Sequence, residues 1–311
     1  METRRIGSLE VSIVGLGCNN FGGRLDAAQT ASVVDAALEA EINFLDTADT
    51  YGGTKSEEYL GRALEGRRDK VVLATKFGMA IDDARKGANP AYVRRALDDS
   101  LRRLRTDHVD LYQLHQPDPE TPIQETMGAL DELVRSGKVR EIGCSNFSVA
   151  QLREAQAAAG QGAKFVSVQN EFSLLNRDAE RDLLPECERQ GIAFLPYFPL
   201  AGGMLTGKYR SGKPLPAKAR LSQGGSSASR FLNDHNLAIV EALIEFAESR
   251  GHSILDLAFS WLASHRAVAS VIAGATSPEQ VRTNVGAVRW RLTAGDLAQV
   301  DSIVSGVAVE L

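Results

Sequence analysis

The sequence predicts an α/β fold: a closed (β/α)8 barrel of the TIM type, with an N-terminal β-hairpin and additional C-terminal helices. Three observations lead there. Short apolar runs alternate eight times with segments of helical periodicity, the signature of repeated βα units around a parallel sheet. The 311 residues exceed the about 250 that such a barrel uses by roughly a hairpin, one long loop and two helices. No Pro/Gly/Ser-rich linker divides the chain, so one domain over 1–311 is expected.

The apolar runs lie at 13–16, 43–46, 71–75, 109–114, 140–143, 165–168, 192–196 and 270–272. Helical periodicity follows each of them, at 27–40, 55–65, 90–104, 122–136, 148–159, 178–190, 236–250 and 278–287. Ahead of the first strand, residues 6–11 read as a hairpin with Gly7-Ser8 at its turn. The seventh loop, 198–233, is rich in Gly, Ser, Pro and Lys and too long for a plain connection, which predicts a mobile functional loop. Residues 254–262 and 293–305 supply the additional helices. A doubly wound sheet is the competing architecture, because Gly15-Leu16-Gly17-Cys18-Asn19-Asn20 follows the first strand. It fails at the third glycine, where Asn20 stands, and the next helix begins too late to receive a phosphate on its N-terminus.

A net charge of −5 gives no general attraction to nucleic acid or to an anionic membrane, so neither is expected as a partner. The N-terminus lacks the apolar core of an export signal, and no run of about 18 apolar residues occurs. Cys18, Cys144 and Cys187 are widely spaced and form no CxxC pair, which suits reduced thiols in the cytoplasm and no metal centre. Oligomeric state is left open.

Barrel active sites are built at the C-terminal ends of the strands. Strands two to seven end on Asp46, Lys76, His115, Ser145-Asn146, Gln169-Asn170 and Tyr197. Each alone suits an ordinary polar loop; six at one mouth point to chemistry. Tyr51 follows in Asp46-Thr47-Ala48-Asp49-Thr50-Tyr51-Gly52-Gly53, whose glycines let the loop turn back over the mouth. A phenol with a pKa of about 10 is a weak acid at neutrality and needs a neighbour that favours phenolate. Lys76 can supply that charge, Asp46 can keep Lys76 protonated, and His115 can hydrogen-bond a substrate oxygen. After the eighth strand, Ser277 suits an N-cap, Pro278 the first helical position and Gln280 a capping box, an arrangement that turns free amides toward an anion.

Asp46, Tyr51, Lys76 and His115, in this order and spacing, resemble the catalytic tetrad of the aldo-keto reductase superfamily, and the similarity runs over essentially the full length. It is carried by Leu45-Asp46-Thr47-Ala48-Asp49-Thr50-Tyr51-Gly52, Leu111-Tyr112-Gln113-Leu114-His115, Ile142-Gly143-Cys144-Ser145-Asn146-Phe147 and Gly274-Ala275-Thr276-Ser277-Pro278-Glu279-Gln280-Val281. The resemblance implies an extended NADPH (NADP+) across the mouth, NADH being the second candidate, and hydride transfer to a small-molecule aldehyde or ketone. By motif, Ser145, Asn146 and Gln169 would hold the carboxamide and Tyr197 would stack on the nicotinamide. Leu200, Gly202 and Lys208 match the pyrophosphate segment; Gly274, Thr276, Ser277, Gln280 and Asn284 match the adenosine phosphate segment. Phe198 departs from a frequent Ser, Ala273 from a frequent Pro, and Thr276-Ser277 from an arginine pair found in some members. His115 separates the chain from the steroid double-bond reductases, which carry Glu there. The β-subunits of voltage-gated potassium channels share the pattern and the cofactor, so a regulatory cofactor-binding subunit is the alternative. Asn19, Asn20, Phe21, Phe77, Met79, Phe198 and Phe231 are the expected pocket walls.

Overall fold

In the computed structural model, which describes residues 1–217 and 219–306, a two-stranded antiparallel hairpin of β1 (Thr3–Ile6) and β2 (Leu9–Ser12) precedes eight parallel strands. These are β3 (Val14–Gly17), β4 (Phe44–Asp46), β5 (Val72–Phe77), β6 (Val109–Leu114), β7 (Val139–Ser145), β8 (Phe165–Glu171), β9 (Ala193–Tyr197) and β10 (Val271–Gly274). They hydrogen-bond in the order β10-β3-β4-β5-β6-β7-β8-β9. The two ends of that order meet just ahead of β10, where Phe194 N–H donates to Ala267 O at 2.7 Å and Ala269 N–H donates to Phe194 O at 3.0 Å. The sheet is therefore a barrel. Several strands run past the apolar segment visible in the sequence, β5 to Phe77, β7 to Ser145 and β8 to Glu171. Polar residues end the apolar run there without ending the ladder, because backbone pairing is indifferent to the side chain that points into the mouth.

Alternation along each strand fixes what that mouth contains. Phe44, Ala74, Leu111, Leu195 and Ile272 point inward and pack with Ile6, Leu9 and Val11 of the hairpin, which stoppers the N-terminal end. Two residues on from the first three of these, on the same inner face, stand Asp46, Lys76 and Gln113. The opposite parity carries Leu16, Leu45, Leu73, Tyr112 and Val168 into the core between sheet and helices.

The surrounding helices are α1 (Ala27–Glu39), α2 (Lys55–Ala63), α3 (Pro90–Leu104), α4 (Ile123–Arg135), α5 (Val149–Ala158), α6 (Leu183–Gln190), α7 (Ser226–Phe231), α8 (Asp234–Ser249), α9 (Ile254–Ser264), α10 (Pro278–Gly286) and α11 (Ala294–Gly306). Capping residues set several of the starts. Asp26 with Gln29 and Ser148 with Gln151 form capping boxes, and Asn89 caps α3 ahead of Pro90. The helix expected over 178–190 is divided into a 3-10 turn at Asp178–Glu180 and α6. Pro185 is the cause, since it lacks an N–H and its ring excludes a helical carbonyl four residues earlier. The seventh loop is also more ordered than a plain loop, holding 3-10 turns at Ala201–Thr206 and Leu221–Gln223 and the short α7. Among the described residues no helix is long and apolar enough to cross a membrane.

Candidate active site

Asp46, at the end of β4, and Lys76, in β5, are 3% and 0% exposed. Lys76 Nζ donates to Asp46 Oδ2 at 2.6 Å, to Thr47 O at 2.9 Å and to Tyr51 Oη at 3.4 Å. The second carboxylate oxygen of Asp46 accepts from Gln113 Nε2 at 3.1 Å and from Gln169 Nε2 at 3.2 Å. A buried ion pair is stable only when its remaining hydrogen-bond capacity is met, and these two amides meet it. Gln113 was not anticipated from the sequence, although its signal is there: it sits on the inward parity of β6, two residues before His115.

Tyr51 is delivered by the loop between β4 and α2. Tyr51 N–H donates to Ala48 O at 3.2 Å, and Tyr51 O accepts from Ser56 N–H at 3.2 Å. Gly52 and Gly53 sit at φ of +59° and +64°, where side chains other than glycine are strained. A Cβ on Gly52 would run into the backbone of Phe21 and Gly22, so this loop lies directly against the loop after β3. His115 follows β6, with its N–H on Phe77 O at 2.8 Å, and its ring meets the Tyr51 ring edge-on at a centroid distance of 5.8 Å.

The electrostatics follow from burial. Desolvation works against the Lys76 charge, but Asp46 and Tyr51 outweigh it and hold its pKa above the ordinary value. For Tyr51 desolvation is the larger effect: its pKa stands above the usual 10.0, with Lys76 pulling it back. Burial, rather than the lysine charge, dominates, and it keeps the phenol protonated across the neutral range. Burial, then Lys76, pushes His115 down to about 3, so its imidazole is neutral. One further acid lies behind the loop. Asp49 is 1% exposed, and burial together with Glu57 raises its pKa to about 7 against the pull of Arg103, the Thr50 N–H and Lys76.

The other strand-end residues form the rim. Asn146 (φ +61°) donates from Nδ2 to His115 O at 2.9 Å and accepts at Oδ1 from Tyr197 Oη at 2.8 Å, tying the ends of β6, β7 and β9 together. Ser145 Oγ donates to Gln169 O at 2.7 Å. Gln169 is 2% exposed and its amide nitrogen is turned inward to Asp46, beneath the rim on which Asn146 and Tyr197 stand. Asn170 donates from Nδ2 to Phe147 O at 3.0 Å and keeps Oδ1 buried and unpartnered. Across the mouth, Lys208 lies within electrostatic reach of Arg24 and Arg220; burial and these two cations lower its pKa. Neither arginine was anticipated, because both lie in loops that carry no periodicity. Leu200 packs against the core, and Gly202 and Gly203 adopt φ of +68° and +105°.

At the eighth strand, Ser277 caps α10 by accepting from Gln280 N at 3.3 Å. The expected capping box is absent. Gln280 Oε1 instead accepts from Thr276 N at 2.8 Å and from Thr276 Oγ1 at 3.1 Å, one residue before the cap. Asn284 is buried in the same helix. Three expected pocket walls are corrected as well. Phe21, Phe77 and Phe231 are core residues at 0%, 0% and 3% exposure, and Phe77 stacks on Tyr112 at 4.6 Å. Phe77 follows the inward Lys76, so alternation turns it outward. Asn19, Asn20, Met79 and Phe198 remain beside the mouth.

Residues 13–305 match the model of the aldo/keto reductase family. The chain belongs to that family. This aldo/keto reductase is 35% identical to an uncharacterized oxidoreductase, YrpG, of Bacillus subtilis (strain 168), across 96% of this chain and 94% of that one. Among solved structures it resembles a glycerol dehydrogenase from Gluconobacter oxydans, at 33% identity and a TM-score of 0.85, covering 98% of this chain and 95% of the other. It also resembles an aldo-keto reductase from Bacillus halodurans in its holo form, at 32% identity and a TM-score of 0.80, covering 100% and 98%. The protein is thus an oxidoreductase acting on carbonyl and alcohol groups with a nicotinamide cofactor. Its mouth suits an anionic dinucleotide: Lys208, Arg24 and Arg220 lie within electrostatic reach of one another, and Asn170 Oδ1 and Asn20 Oδ1 are buried without a hydrogen-bond partner.

Proposed function

We propose that this reductase converts an aldehyde or ketone to the alcohol, reversibly, with NADPH as cofactor and Tyr51 as proton donor. The observation that carries the reading is the buried chain from Asp46 Oδ2 through Lys76 Nζ to Tyr51 Oη, at 2.6 and 3.4 Å. When bound, the cofactor supplies the hydride. Tyr51 donates its proton to the carbonyl oxygen as negative charge develops there, and Lys76 stabilises the phenolate that remains. Asp46 keeps Lys76 charged, and neutral His115 orients the substrate oxygen by a hydrogen bond. Ser145, Asn146 and Gln169 would hold the cofactor's carboxamide, and Tyr197 would flank its nicotinamide. Leu200, Gly202 and Lys208 would hold the pyrophosphate; Gly274, Thr276, Ser277, Gln280 and Asn284 would hold the adenosine end. Three buried free thiols suit a reducing compartment, and we place the enzyme in the cytoplasm.

The test follows loss of reduced-nicotinamide absorbance with a panel of aldehydes, ketones and sugars, for the wild type and for Tyr51→Phe. The variant should keep its cofactor affinity and lose about 10²–10⁴-fold in kcat. Undiminished turnover would remove Tyr51 from the mechanism.

A further inference from the structure

The adenosine end of this site has a hydrogen-bond arrangement that bears on which dinucleotide it takes. Residues 274–281, Gly-Ala-Thr-Ser-Pro-Glu-Gln-Val, contain no cation. Arg282 is next along α10 but donates to Glu39 Oε2 of α1 at 3.4 Å, on the outer surface. Gly274 leaves little room for a longer side chain, since a Cβ there would stand 3.0 Å from Asn20 Nδ2 and 3.3 Å from Asn19 Oδ1.

The neutral donors are largely committed too. Thr276 N–H and Thr276 Oγ1–H both go to Gln280 Oε1. Gln280 N–H goes to Ser277 Oγ, Val281 N–H goes to Ser277 O at 3.3 Å, and Pro278 has no N–H. Thr276 Oγ1, its hydrogen spent on Gln280, is left as an acceptor, which suits a ribose hydroxyl better than a phosphate oxygen. The first turn of α10 carries Glu279, whose exposed carboxylate already complements the helix N-terminus and repels a second anion.

Positive charge collects elsewhere. Burial and then the charges of Arg24 and Arg220 lower the pKa of Lys208, and burial and then Arg24 lower that of Arg220, so the three cations stand within electrostatic reach of one another. An anion held in common relieves that repulsion, and the diphosphate shared by NADH and NADPH is such an anion.

We infer that this enzyme reads the diphosphate with charge and the adenosine ribose with neutral groups, and so takes NADH nearly as well as NADPH. The inference rests on the reductase reading and refines its cofactor. A pair of charge-assisted bonds to a 2′-phosphate from cationic side chains would separate the two cofactors by on the order of a hundredfold or more; Ser277 Oγ–H, the Gln280 side-chain amide and the Ser277 and Glu279 backbone N–H groups, the donors left at this turn, are all neutral and separate them by less.

The experiment titrates the full chain with NADPH and with NADH by quenching of intrinsic fluorescence, at low and raised salt. Dissociation constants within about tenfold of each other are expected, with the same salt dependence for both, since the charged contacts are to the shared diphosphate. NADPH binding tighter by more than that factor, or weakened more steeply by salt, would overturn the inference and leave the reductase reading standing. Binding of neither cofactor would sink both. Thr276→Arg supplies the missing cation and should shift the ratio toward NADPH; an unchanged ratio in that variant would refute the placing of the 2′-phosphate at this segment.

Discussion

Replacing Asp49 by Asn tests the electrostatics behind the catalytic loop without touching a group that meets substrate. Its carboxyl is walled in by Glu57 of α2, Arg103 of α3, Lys76 of β5 and the phenols of Tyr92 and Tyr112. Glu57 is already committed to Thr75 Oγ1 and to Arg103 Nε at 2.6 Å each, which leaves Asp49 a desolvated acid beside a satisfied one. Its pKa accordingly rises from 3.8 to about 7. A folded-state pKa above the unfolded one means that the contribution to stability is fully present below the unfolded value and is lost as pH rises through the folded one. Inside that window each pH unit costs up to about 1.4 kcal/mol, the slope falling off as the folded-state pKa is reached, so from about pH 5 to about pH 7 the wild type should lose roughly 2 kcal/mol that Asp49→Asn does not. Urea unfolding of both proteins at several pH values measures the difference directly, and other titrating groups cancel in it. A gap between variant and wild type that stays flat with pH would show that Asp49 ionises normally in the fold.

Two further outcomes follow from the loop and the ring that flank the lysine. Gly52→Ala places a Cβ against the backbone of the neighbouring loop at φ +59°, whereas Gly53→Ala, at φ +64°, meets nothing within 4 Å. The second should cost only the left-handed backbone penalty, roughly 1–2 kcal/mol, and the first more than that together with a loss of kcat; equal melting temperatures and equal turnover would contradict the loop contact. His115, held near 3, stays neutral throughout the working range, so any inflection in the pH profile of kcat/KM between about pH 5 and about pH 8 should persist in His115→Gln. Its disappearance in that variant would mean that the imidazole titrates there.

The barrel and the strand-end residues Asp46, Lys76 and His115 were legible for one reason: parallel strands buried on both faces are written as apolar runs, and polar residues at or just past the ends of those runs lie at the mouth. Asp46, Lys76 and His115 needed no contact information to be placed together, and Tyr51 was found by its glycines. Gln113 escaped notice because an amide inside a strand reads as an ordinary polar interruption until its parity with His115 is counted. Phe77 was misplaced for the same reason, with the parity reversed. Spacing alone made Gln280 look like half of a capping box; which amide it reached depended on a side-chain torsion the sequence does not encode. Arg24 and Arg220 meet Lys208 only because two loops far apart in the chain converge, and no local pattern announces that.

The hairpin that stoppers the barrel has a consequence for proton traffic. With Ile6, Leu9 and Val11 at 0%, 1% and 0% exposure beneath the inward side chains of the strands, the interior is a cup rather than a tube. Among the described residues the open side of that cup is the strand-end rim on which Asn146 and Tyr197 stand, hydrogen-bonded to each other. On the proposed mechanism, a Tyr51 phenolate would regain its proton through the same opening by which the alcohol leaves, so one cover over the mouth would govern both.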